Sequence, residues 1–204
     1  MNSAMHATIA GWANFYLLTG SAAAALTGLQ FVVQTLIASD TLRSVAGPDP
    51  EATIAAFGTP TVVHLSLALI LSALMCVPWP GIDGLRESVG AIGVGALGYT
   101  AAVVRRTRHV RGYVLAKEDW IWHCVLPALA YVAVLMAALL FASCMALPLF
   151  MIAAATLLLL CVGIHNEWDT VTFISAQTLR SARPAAASSV RNAVDLPSRG
   201  KRRR

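Results

Sequence analysis

The chain has 204 residues, of which 57% are hydrophobic and 12% charged, with a formal net charge of +5 at neutral pH. The charged share is about half the roughly 25% usual in soluble domains. A soluble core of this size cannot hide so much apolar surface, which excludes an ordinary soluble domain and points to a chain solvated by lipid.

A bilayer core about 30 Å thick takes roughly 20 apolar residues of helix to cross. The first segment that qualifies runs from Trp12 to Ala38 without a charge. It reads as a retained span. A cleaved leader would carry a basic start and an apolar run of only about 7–15 residues, and no Lys or Arg precedes Trp12. Gly20, Ala24 and Gly28 recur every fourth position, a small-xxx-small spacing that lets helix backbones approach. Gln30 and Gln34 follow near the end of this span.

The second span is expected from Thr61 to Trp79, with His64 a few residues inside it. The third, Ser88 to Val104, is Gly-rich and short, and contains "GVGALG" from Gly93 to Gly98. That string matches GxGxxG, but a dinucleotide site also needs a preceding strand and a following acidic residue. Inside an apolar segment, Gly93, Gly95 and Gly98 read as helix-packing positions.

The fourth span is expected from Ile121 to Phe141 and the fifth from Leu147 to Ile164, with only "ASCMA" around the turn between them. These two form a tight antiparallel hairpin. Counting back from its tip brings "KEDWIWHC" (Lys117–Cys124) opposite "CVGIHNEWD" (Cys161–Asp169). Trp12, Tyr16, Trp79, Trp120 and Trp122 fall near span ends, as an interfacial aromatic belt would.

Residues 180–204 have no apolar stripe and are rich in Ala, Ser, Pro and Arg. The sequence predicts a transmembrane domain over 1–179 and a disordered basic tail over 180–204. Such a tail attracts anionic lipid. No aromatic platform or folded reader accompanies it, so nucleic acid is not the expected partner. Arg43, Arg105, Arg106, Arg108, Arg111, Lys117 and the tail fall on one side of a five-span chain, and Arg86 on the other. The fold expected is therefore an all-α, polytopic bundle of about five transmembrane helices. Its N-terminus is outside and its C-terminus cytoplasmic, as in a multi-pass inner-membrane protein.

Polar residues gather toward that cytoplasmic side. Gln34, His64, His123, His165, Glu167 and Asp169 are the candidate membrane site, since ionisable groups within a span are costly and default to function. Plain anchoring of helix ends is the competing reading for the hairpin residues, with Trp168 at the interface. Cys76 and Cys144 fall near the outer face, where pairing requires Cα atoms within about 7 Å; no CxxC or zinc spacing occurs.

The opening "WANFYLLTGSAAAALTGLQFVVQTL", the Pro-terminated second span and "HNEWD" after the last span together resemble a broad group of small bacterial integral membrane proteins. The resemblance covers most of residues 12–175. It implies a polytopic inner-membrane helical protein and carries over no activity and no functional residue.

Three functions follow as expectations. The first is an oligomeric ion or proton channel or transport unit, with the polar groups at its mouth. The second is a non-catalytic accessory protein for a membrane partner. The third is a redox protein holding haem or a metal through His64, His123 and His165; otherwise no cofactor is expected. No Ser/His/Asp set, HExxH or P-loop is present, so the chain does not read as an enzyme.

Overall fold

A computed structural model describes residues 2–38, 59–109 and 120–194, and among these no strand occurs. Helix α1 (Asn2–Ala10) turns at Gly11–Trp12 into α2 (Ala13–Ala38). Next come α3 (Thr59–Cys76) and α4 (Ile82–His109). A π-helical turn (Ile121–Val125) leads into α5 (Leu126–Leu140), and α6 runs from Ala146 to Val194. Five stretches are long and apolar enough to cross a membrane: Ala13–Thr35, Thr59–Cys76, Ile82–Arg105, Ile121–Leu140 and Ala146–Thr172. The first rises about 34 Å at 1.5 Å per residue, ample for a bilayer core.

Two elements depart from the sequence reading. The short Gly-rich third segment belongs to a helix of 28 residues, begun by Asp83 in its first turn, where a carboxylate complements the helix dipole. The last helix does not stop at Ile164 but continues to Val194. Between those residues there is no glycine and a single proline, Pro184. Local pairs such as His165–Asp169, one turn apart at 3.0 Å, fit an unbroken helix. "HNEWD" therefore lies within a helix whose backbone hydrogen bonds continue, not at a frayed end. The expected disordered tail, 180–204, overlaps this helix as far as Val194; 195–204 lie outside the described residues, as do Arg43, Arg111, Lys117, Glu118 and Asp119.

Helix α6 is the central element, packed against α2, α3 and α5, while α4 lies outermost against α5. Small residues set the closest approaches. A Cβ on Gly163 would lie 2.9 Å from Leu65 Cγ, and one on Gly93 would lie 2.9 Å from Leu135 Cβ. A Cβ on Gly20 would lie 3.0 Å from Ser72 Cβ, and Thr19 and Ser72 hydroxyls bond at 3.0 Å. Ala24, Gly28, Gly95 and Gly98 are exposed, and nothing lies within 4 Å of a Cβ on Gly28, Gly95 or Gly98. The core residue of the first small stretch is Ala23, fully buried.

Tyr16 belongs to the core rather than to an aromatic belt: it is buried and donates its hydroxyl to the Leu149 carbonyl at 3.3 Å. Trp12 meets Phe150 edge-on, ring centroids 4.8 Å apart. These contacts fix the relative depth of α2 and α6, which run parallel, with α3 antiparallel between them.

Candidate functional site

The contacts above set a register from which depth can be counted. With Gly20 against Ser72 in an antiparallel pair, Gln30 of α2 stands level with Val62 of α3. With Gly163 against Leu65, also antiparallel, Asn166 of α6 likewise stands level with Val62. His64 is two positions away, about 3 Å along the axis. Gln30, His64 and Asn166 thus come from three helices to one depth, and each is only 2% exposed.

Several of their buried polar atoms have no partner among the described residues. Gln30 Oε1, His64 Nε2, both amide atoms of Asn166 and Glu167 Oε1 are sealed from solvent without a hydrogen-bond partner. Such an atom costs about 1–3 kcal/mol when left unsatisfied. Gln30, His64, Asn166 and Glu167 share this state within about one helical turn of depth.

His64 is held from its other nitrogen. Nδ1 and the Tyr131 hydroxyl hydrogen-bond at 2.5 Å, joining α3 to α5, and Tyr131 is fully buried. That bond fixes the ring so that Nε2 is its only free polar atom. Tyr131 can reach because helical side chains lean toward the N-terminus of their helix, here toward the His64 end.

The π-helical turn sits beside this layer. Leu126 N–H donates to Ile121 C=O, five residues back. Pro127 has no N–H for the His123 carbonyl and its ring would clash there, so the wider turn relieves both conflicts. The extra residue presents Trp122 and His123 to the site. Trp122 stacks on His165 with centroids 3.7 Å apart and planes 20° from parallel, the meeting of the two hairpin stretches that counting from the tip expects. His123 is near enough to His64 for their charges to interact.

The remaining candidates are more exposed. His165 Nε2 contacts Asp169 Oδ2, with side chains 32% and 51% exposed. Glu167 and Gln34 are half-buried, and Trp168 is 68% exposed. The most buried residue of "HNEWD" is therefore its amide, Asn166, with His165 and Glu167 flanking it. Sequence reading passed over Asn166 and Tyr131 and gave Gln30 only second place to Gln34. Asn166 and Gln30 carried one legible signal, an amide placed inside an apolar run. Tyr131 carried none, since a tyrosine in a span reads as apolar filler.

Among the described residues no group of three or more His, Cys, Asp or Glu could hold a metal. His165 is taken up by Trp122 and Asp169, and His64 Nδ1 by Tyr131, so the three histidines do not converge as ligands. All four cysteines are free, Cys76 and Cys144 exposed. Searches of family profiles, curated proteins and solved structures find nothing that matches this chain.

Proposed function

We propose that this is a multi-pass protein of the inner membrane that moves a small ion, with the Gln30–His64–Asn166 layer as its binding site. The N-terminus is outside, so the layer lies toward the cytoplasmic face, on the side of the basic clusters. The observation that carries this reading is the set of unpaired, buried polar atoms contributed by three helices at one depth. A polar group inside a span persists only where a counter-group, water or transported species meets it. A purely structural bundle would pair these atoms with one another or replace them with apolar side chains.

Glu167 and Asp169 add two carboxylates on the turn of α6 that carries Asn166. The test is a purified chain in liposomes, with a potential-sensitive dye reading the response to imposed sodium, potassium and pH gradients. At least one gradient should produce a potential that His64→Ala abolishes. A protein that folds but responds to none, and instead co-purifies with a defined membrane partner, would transfer the chain to the accessory class.

A further inference from the structure

We infer that Trp122, His165 and Asp169 form a proton-operated clasp on the open end of the α5–α6 hairpin. It is closed when His165 is an imidazolium and loosened when the ring is neutral. It goes beyond the transport reading and does not depend on it, since no ion need cross the membrane.

The hairpin is tied covalently at one end only, where α5 ends at Leu140 and α6 begins at Ala146. Trp122 stands about 27 Å from Leu140 along the helix axis. At that distance non-covalent contacts alone hold the two sides of the hairpin together, and the Trp122–His165 stack is one that crosses between them.

The geometry of the contact suits a charged ring. The centroids lie 3.7 Å apart with the planes 20° from parallel, which leaves little room for an offset. Two neutral π faces stacked in this way present like quadrupoles to each other and prefer an offset or edge-on arrangement. A cation over the face of an indole is attracted to it. On its edge the ring meets Asp169, His165 Nε2 lying 3.0 Å from Oδ2. Charging the ring turns that contact into an ion pair with a charge-assisted hydrogen bond. Both side chains are part-exposed, so the ring exchanges protons with water directly and needs no buried path.

At this depth α6 packs against α2, α3, α5 and the π-helical turn. The turn brings His123 and Cys124, α3 brings His64, and α5 brings the Tyr131 hydroxyl, engaged by His64. From α2 comes Gln30, which does not ionise, and α6 itself adds Cys161 and Glu167. Glu167 shares the sign of Asp169 and favours the charged ring. A charged His123 or His64 opposes it, so His123, the neighbour of Trp122, is the residue to control for.

Imidazole changes charge between about pH 5 and 8. The contacts of the charged ring are present at the acidic end of that range and are lost as pH rises through it. Asn166 follows His165 and His123 follows Trp122 in the chain. The clasp therefore holds together the two turns that border the polar layer.

The full chain in detergent tests this through tryptophan emission, because an imidazolium against an indole quenches its fluorescence far more than a neutral imidazole does. The chain has five tryptophans, so emission should fall between about pH 8 and pH 5 by up to the share of one of them. Whatever part of the fall Trp122→Phe removes, His165→Gln should remove as well, while Trp168→Phe and His123→Gln should leave that part in place. A stability cycle of Trp122→Phe and His165→Gln should also give a coupling about threefold larger, as an equilibrium constant, at the acidic end than at the basic end. If Trp122→Phe removes no part of the fall, or the coupling is the same at both ends, the clasp is overturned. If His123→Gln removes that part and His165→Gln does not, the sensor is His123 and the assignment to His165 is overturned.

Discussion

Leu65 of α3 fills the space that a side chain on Gly163 of α6 would need. A Cβ there would stand 2.9 Å from Leu65 Cγ, and Leu65 is fully buried, with no free direction to swing. This approach brings the His64 turn against the Asn166 turn.

Gly163→Ala should therefore loosen the bundle at the polar layer itself. Overpacking of this kind costs about 1–3 kcal/mol. A lowered thermal midpoint in detergent, partly recovered by adding Leu65→Val, is the expected result. An unchanged midpoint would mean the two helices sit further apart than described.

The two ends of the small-residue stretch in α2 should behave oppositely. Gly20 is pressed against Ser72, whereas Gly28 has nothing within reach of an added Cβ. Gly20→Leu should destabilise the folded monomer, and Gly28→Leu should leave it intact. If Ala24→Leu or Gly28→Leu alters the oligomeric state while monomer stability holds, the exposed side of this stretch meets another copy.

Trp122 and His165 offer a measurable coupling between α6 and the π-helical turn. Stacked aromatic pairs contribute about 0.5–1.5 kcal/mol beyond the area they bury. A double-mutant cycle of Trp122→Leu and His165→Leu should return a coupling in that range. A value near zero would show that the stack does not hold the turn in place.

Much of the fold was legible in the sequence because lipid imposes a simple rule: a spanning helix satisfies its own backbone and exposes an apolar surface. The lengths of uncharged runs therefore located all five helices. Polarity after Ile164 marks only the end of the apolar stretch of α6 and not the end of the helix, so the sequence alone does not show where α6 stops. The site was legible in part. His64 stands out as an ionisable residue between apolar neighbours. Which residue of "HNEWD" turns inward is decided by the phase of α6 against α3, and that phase is set at Gly163 and Leu65, a contact between distant positions. Tyr131 was hidden for a similar reason, since only the crossing of α3 and α5 gives it His64 as a partner.

Topology can be checked independently of any activity. Reporter fusions after Pro50, Asp83, Gly112 and Arg204 should report inside, outside, inside and inside, as the basic clusters imply. An outside signal at Gly112 would contradict the proposed orientation of α4.

The most direct test of the polar layer is a high-resolution structure of the protein in a lipid nanodisc. Ordered water or another small guest should lie within hydrogen-bonding distance, about 3 Å, of His64 Nε2, Gln30 Oε1 and the Asn166 amide together. If those side chains instead pair with one another, with no guest between them, the layer is structural glue and the account of transport through it is wrong.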